Sequence, residues 1–283
     1  MIFEHEIPAG SRLYFGASAR LKRRIEAKAA ELLEARGYEE IVTPIFSYHQ
    51  HESFDDAKEL IRLNDAANHE VSLRADSTAD VVRIATKRLG RSTGSKKWFY
   101  IQPVYRFPTR EQYQIGAEHL GGSFGGVAAD AIALLESLEI RPLLQVANIA
   151  IPRLLNERYG VALEDLKSMH IERILAAGHP WLEALVYLHR PEELEDVSAY
   201  PEDIAAELVR IREAVAGLNY RPLVISPLYY AKLRYYDALI FRLYEENTIF
   251  ATGGIYRIDG VRAAGFALLT DACIAKIIHK GNA

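Results

Sequence analysis

Trp98-Phe99-Tyr100-Ile101-Gln102-Pro103-Val104-Tyr105 and, after the connection Arg106-Phe107-Pro108-Thr109-Arg110, Gln112-Tyr113-Gln114-Ile115-Gly116-Ala117-Glu118-His119-Leu120 form the most regular part of the sequence. The first run is rich in aromatic and β-branched residues, and the second alternates. Two such runs joined by a short connection predict an antiparallel hairpin. Period-2 geometry puts Gln112, Gln114, Gly116 and Glu118 on one face and Tyr113, Ile115 and Ala117 on the other. Gln114 and Glu118 are then about 13 Å apart along one strand face, a spacing suited to gripping both ends of a small polar ligand. A solvated sheet face has the same pattern.

Upstream, Leu21, Ile25, Ala29, Leu32 and Leu33 make a helical stripe ended by Gly37. The surrounding Arg20, Lys22, Arg23 and Arg24 read as a solvated face. Glu39 to Phe46 reads as a strand whose Pro44 belongs at an edge, a bulge or an interface. Val71 to Arg74 is a short strand. Ser77 with Asp80 forms a capping signal for a helix running to Gly90. Asp76 and Thr78 sit at that strand-to-helix turn, where they serve either a cleft or the cap.

Downstream, Gly121 to Gly126 reads as a flexible loop without the Gly-Lys-Ser/Thr ending of a phosphate loop. A helix at 128–138 and a strand at 143–149 follow. Residues 150–218 carry helical periodicity throughout and read as a helical insertion. Strands return at 222–226, 237–244, 248–252 and 262–269, and a helix starts at Asp271. Tyr235-Tyr236 opens one strand, so its two side chains point to opposite faces. Mostly antiparallel strands with segregated helices make the fold α+β.

The bulk numbers agree. The chain has 283 residues, 49% of them hydrophobic and 25% charged, which excludes bulk disorder. With 34 basic and 38 acidic side chains the net charge is −4, so no basic excess points to nucleic acid. One cysteine, Cys273, excludes an internal disulfide and a cysteine-rich zinc site. His49-Gln50-His51-Glu52 lacks a convincing third metal ligand. No cofactor is implied. The N-terminus lacks the order of a secretory signal and no stretch is long enough to span a membrane, so a cytoplasmic protein is expected.

Taken in order, these blocks resemble the catalytic core of histidyl-tRNA synthetase, a class II aminoacyl-tRNA synthetase. Gly37 to Pro44 is similar to motif 1, whose strand lies at the dimer interface. Leu73-Arg74-Ala75-Asp76-Ser77-Thr78-Ala79 resembles the family's Leu-Arg-Pro-Glu-Gly-Thr-Ala. Trp98 to Glu118 resembles motif 2, with Arg106 at its arginine. Tyr235-Tyr236 matches a Tyr-Tyr pair, Gly253-Gly254-Ile255-Tyr256 resembles Gly-Gly-Arg-Tyr, and Gly265-Phe266-Ala267 resembles the start of motif 3. The resemblance implies a histidine-like pocket of Asp76, Thr78, Arg106, Gln114, Glu118, Tyr235 and Tyr236.

The departures concern phosphate chemistry. Ala272 stands where motif 3 places an arginine against ATP, and Ala231 where an arginine clamps the substrate carboxylate. The motif 2 loop is cut to Phe107-Pro108-Thr109. Adenylation needs fixed cations around the reacting phosphate, and each lost electrostatic donor costs roughly 10²–10³ in rate. No room is expected for an anticodon-binding domain. A synthetase-like core over 1–283, interrupted at 150–218 and without synthetase chemistry, resembles the regulatory subunits of ATP phosphoribosyltransferase. That resemblance implies a homodimer, a short-form ATP phosphoribosyltransferase catalytic subunit as partner, histidine as a candidate ligand, no catalytic residues of its own, and no tRNA. The alternatives are a divergent synthetase paralogue activating histidine or another small acid, and a free-standing histidine-binding dimer.

Overall fold

The computed structural model describes residues 6–50, 57–230 and 236–281. In chain order the elements are α1 (Gly16–Ala35), β1 (Glu39–Glu40), β2 (Phe46–Ser47), β3 (Arg62–Asn64), β4 (Glu70–Leu73), α2 (Thr78–Lys87), β5 (Lys97–Arg106), β6 (Arg110–Leu120), α3 (Phe124–Ser137) and β7 (Leu143–Asn148). Then come α4 (Ala150–Arg158), α5 (Leu163–Ser168), α6 (Ile171–Leu175), α7 (Leu182–Val186), α8 (Glu202–Ala216), β8 (Leu223–Ile225), β9 (Tyr236–Glu245), β10 (Thr248–Ile258), β11 (Val261–Leu269) and α9 (Thr270–Gly281).

Eight strands make one sheet in the order β1-β5-β6-β11-β10-β9-β7-β8, and β2-β4-β3 make a small second sheet. The interior pairs of the large sheet are antiparallel, while the edge pairs β1–β5 and β7–β8 are parallel. The expected hairpin is β5–β6, in register from Lys97↔His119 to Arg106↔Arg110. Segregated helices and this sheet give the expected α+β class.

Opposed residues share a sheet face. One face takes Phe99, Ala117, Phe266, Phe241 and Val146 into the main core, with Ile25 and Leu33 of α1, Leu134 of α3, Leu208 and Ile211 of α8 and Cys273 of α9. The connection from β7 to β8 is helical, as the 150–218 periodicity predicts, and its Leu155, Leu166, Leu185 and Leu194 join that same core. The other face carries the polar row of β6 and is roofed at one end by α2, whose Val81 and Ala85 pack on Trp98 and Tyr100.

Three local expectations change. The strand over 39–46 is two short strands in different sheets, because Thr43 and Pro44 turn their carbonyls to Arg74. The Ser77–Asp80 cap does not form: the Ser77 hydroxyl accepts from Gln102, while Asp80 accepts from Ser47 and Gln50. Gly125 and Gly126 belong to the first turn of α3, where Ser123 caps by accepting from the Gly126 N–H at 3.2 Å.

Arg74 is the buried link between the two sheets. Its Nε and Nη2 donate to the Pro103 carbonyl at 3.0 and 2.9 Å, and Nη1 donates to those of Thr43 and Pro44 at 2.8 and 3.1 Å. Its own N–H donates to Ile45 and its carbonyl accepts from Tyr105. Arg74→Met strands these buried carbonyls and is expected to cost about 3 kcal/mol in urea denaturation. Arg74→Lys recovers less than half, since one ammonium cannot serve both sides. A loss below about 1 kcal/mol for Arg74→Met would contradict this role.

Candidate functional site

Glu118 sits on β6 and is fully buried on the face away from the main core. A carboxylate there needs space and partners. Space comes from Gly265, its register partner on β11: a Cβ at that position would stand 1.8 Å from the Glu118 Oε2. The partners are two hydroxyls. Thr78 Oγ1 donates to Oε1 at 2.8 Å, and the Tyr256 hydroxyl donates to Oε2. Tyr256 comes from β10, whose Gly254 pairs with Gly265. Tyr100 of β5 lies across Gly116, where a Cβ would meet its ring at 2.1 Å. Its hydroxyl is enclosed beside Thr78 and Glu118 without a hydrogen bond of acceptable geometry among the described residues.

Gln50 and Gln102 hold the roof over this carboxyl. The Gln50 Oε1 accepts from the backbone N–H groups of Ala75 and Asp76 at 3.0 and 2.8 Å. Its Nε2 donates to the Asp76 carbonyl and to Asp80 Oδ2, both at 2.8 Å. Gln102 donates to Thr43 Oγ1 and Ser77 Oγ, both at 2.9 Å. These contacts fix the turn that delivers Asp76 and Thr78. Burial pushes the Glu118 carboxyl up to about 8; the nearby charge of Asp76 adds to the rise, and the Tyr256 and Thr78 hydroxyls oppose it. Burial also raises the Tyr100 hydroxyl well above its ordinary value.

Of the residues expected at the pocket, the structure brings Asp76, Thr78 and Glu118 together. Tyr236 joins them through Tyr256, the two rings meeting edge-on at 6.4 Å. Gln114 lies two pleats along, its Nε2 donating to Gln112 at 3.1 Å. Arg106 reaches the same turn from β5: Nε donates to the Ala75 carbonyl at 3.2 Å and Nη1 lies 3.8 Å from Glu59. Tyr235 and Ala231, and likewise His51 and Glu52, fall outside the described residues. Tyr256, Tyr100, Gln50 and Gln102 are site residues that the sequence pattern does not mark as such. The alternation that marks Glu118, continued to Tyr256 through a Gly-rich strand, is the signal that points to the first of these. No group of three potential metal ligands occurs among the described residues.

Where synthetase chemistry would hold phosphates, Ala272 opens α9 and packs partly against the main core. The preceding Asp271 is bound by the N-terminal segment and by β6: it accepts from the Tyr14 hydroxyl and from the Tyr113 N–H at 3.1 Å, with Arg12 at 3.9 Å. The same segment holds the shortened loop, since Glu111 N–H donates to Gly10 and Thr109 Oγ1 to Ala9.

Glu118 also sets a pH signature. Its folded value of about 8 exceeds the ordinary 4.5, so its contribution to stability is complete below the ordinary value and is lost as pH rises through the folded one. Thermal melting from about pH 5 to about pH 9 should show a decline in the native chain that Glu118→Gln flattens. An unchanged slope in the variant would assign the decline to other groups.

Comparison with known proteins places this geometry. A family model described as histidyl-tRNA synthetase matches residues 14–273. A solved structure from Bacillus halodurans, titled an ATP phosphoribosyltransferase regulatory subunit/histidyl-tRNA synthetase, superposes with a TM-score of 0.76 at 21% identity, covering 97% of this chain and 84% of that one. One from Alicyclobacillus acidocaldarius, titled a histidine–tRNA ligase subunit, has a TM-score of 0.77 at 23% identity and covers 99% of both chains. At these identities the structures establish the class II synthetase-type fold. A Helicobacter hepaticus protein named ATP phosphoribosyltransferase regulatory subunit is 38% identical over 276 residues, 97% of this chain and 98% of its own. Its Wolinella succinogenes namesake is 45% identical over 281 residues, 99% and 98% of the two chains. With a synthetase-type sheet, an alanine at the motif 3 position, and near-complete alignment to these relatives, the chain belongs to the ATP phosphoribosyltransferase regulatory subunits, within the histidyl-tRNA synthetase family.

Proposed function

We propose that this chain is a non-catalytic regulatory subunit of ATP phosphoribosyltransferase in the cytoplasm, that it activates a short-form catalytic subunit, and that it supports feedback inhibition by histidine. The observation that carries the reading is the 45% identity, end to end, to a protein named for that role. The loss of cationic groups supports it. Ala272 and Ala231 offer no charge to a reacting phosphate or a substrate carboxylate where the synthetase resemblance places arginines. Regulation of this kind is a coupling free energy between sites, not bond chemistry, so the chain needs states and contacts rather than a nucleophile.

Histidine is the ligand suited to the Glu118 site. A buried carboxyl flanked by Thr78 and Tyr256 is suited to an imidazole N–H, and Asp76 with Thr78 to an ammonium. Gln114 and Tyr236 border the same face. No tRNA, metal or cofactor enters this reading.

A homodimer is part of the proposal. Val42, Ile45, Phe46 and Tyr48 are large apolar side chains exposed within seven residues, Val42 at 78% and Phe46 at 57%. They run from the motif 1-like segment, which holds Val42, into β2, next in the chain to the short strand β1 at the edge of the large sheet. Burying them against a second copy removes this patch from water.

Mixing the purified chain with the short-form catalytic subunit of its own organism should raise phosphoribosyltransferase activity at least about tenfold and give a co-eluting complex, and histidine should lower that activity. No complex and no activation overturns the proposal. Histidine-dependent exchange of pyrophosphate into ATP overturns it in favour of a working adenylating enzyme. In sedimentation at micromolar concentration the native chain should be a dimer, and Val42→Asp with Phe46→Asp a folded monomer. A native monomer would remove the dimer from the reading.

A further inference from the structure

Helix α1 carries its surface charges sorted by sign. Ile25, Ala29 and Leu33 turn inward to the main core. On the opposite side Arg20, Arg24, Ala27, Glu31 and Glu34 recur at steps of four and three residues, and all are exposed. That spacing is the 3.5-residue period of a straight stripe along a helix. From the N-terminal to the C-terminal end the stripe runs positive, positive, small, negative, negative.

Folding of a single chain does not account for this order. Arg20 and Arg24 stand four residues apart and Glu31 and Glu34 three apart, like-charge spacings that cost an isolated helix. The order also opposes the helix dipole: the first turn has no acidic residue, and the last holds Glu34 and no basic one. Neighbouring charges that could compensate are engaged elsewhere, Lys22 with Glu26 and Lys28 with the Ser137 carbonyl. None of the four stripe charges has an ion pair or a side-chain hydrogen bond among the described residues.

A second copy of the same stripe, laid antiparallel, supplies every missing partner. Arg20 and Glu34 are each seven residues from Ala27, about 10 Å along the axis, so they come level when the two Ala27 positions meet. Arg24 and Glu31 are three and four residues from Ala27 and come level to within about 1.5 Å. Alanine at the midpoint lets the two helix axes approach to about 8 Å. The arrangement is isologous: Arg20 of one copy meets Glu34 of the other, and the reverse. Any other protein would need the reversed charge order at the same spacing, which this chain already carries.

We infer that α1 is a self-association surface on which two copies of this chain pair antiparallel, about a twofold axis at Ala27. The contact is separate from the apolar patch at 42–48 and stands on its own charges. Solvated ion pairs with little apolar area make weak contacts, so it fills at about 100 µM and above rather than at micromolar concentration.

Disulfide crosslinking of the full chain tests the pairing, because Cys273 is buried and is the chain's only cysteine. Ala27→Cys and, as control, Ala17→Cys each put one exposed thiol on α1. In the pair the two Ala17 positions stand about 30 Å apart, too far to bridge. At about 100 µM protein and low salt, with diamide as oxidant, Ala27→Cys should form linked dimers at least about tenfold faster than Ala17→Cys, and about 1 M salt should remove the advantage. Adding Arg20→Glu with Arg24→Glu, or Glu31→Arg with Glu34→Arg, should abolish the advantage of Ala27→Cys for each chain alone. Mixing those two chains, one of them tagged, should restore it as a mixed dimer, which also shows that both are folded. Equal rates for Ala27→Cys and Ala17→Cys overturn the inference, as does an advantage that survives the charge reversals. Sedimentation of the Val42→Asp, Phe46→Asp chain reports the other patch, so the two contacts fail separately.

Discussion

The guanidinium of Arg74 is the constraint on which the rest of the architecture depends. It is buried, and its hydrogen-bond partners are the carbonyls of Pro103, Thr43 and Pro44. Two prolines in this region cannot donate to a ladder, so their neighbourhood cannot be closed by ordinary sheet pairing. One side chain with a rigid fork of donors closes it instead. The small sheet is thereby fastened to β5, and the turn after β4 leads directly into Asp76, Ser77 and Thr78. Burial lowers the pKa of Arg74, a measure of how much hydration the charge gives up. The carbonyl contacts offset that loss.

Downstream of this clamp, the site and the fold share their residues. Thr78 both opens α2 and donates to Glu118, and Gln50 both anchors the loop after β2 and holds the Asp76 backbone. Gly265 and Gly116 carry no side chain because Glu118 and Tyr100 occupy the volume a Cβ would need. A protonated Glu118 is the natural consequence of this enclosure at neutral pH, and a neutral carboxyl can both donate and accept. Ligand specificity at such a centre is set by which of those two roles the incoming group demands.

Much of this is legible in the sequence, for reasons that differ by element. The β5–β6 hairpin is legible because alternation is a local signal, and the phase of that alternation places Gln114 and Glu118 on one face. The helices from 150 to 218 are legible from their 3.6-residue period. Ser77 reads locally as a cap because its real partner, Gln102, is 25 residues away and invisible to a local rule. Gln50 has the look of one polar residue in an exposed His-Gln-His-Glu run, yet it is fully buried with four hydrogen bonds. Arg106 matches a motif, and its contacts with Ala75 and Glu59 are visible only in the three-dimensional arrangement.

The division of the sheet into two faces has an evolutionary consequence. The interior that makes the chain fold is on one side, built from Phe99, Ala117, Phe241, Phe266 and the helices beneath them. The polar groups around Glu118 are on the other side, at register positions where neighbours are glycine, alanine or threonine. Lineages can therefore exchange one set of side chains on that face for another without renegotiating the fold. An ancestral catalyst on such a scaffold can drift into a sensor through a few substitutions, each tolerated when it arises, because foldability and chemistry are inherited on opposite surfaces of the same strands.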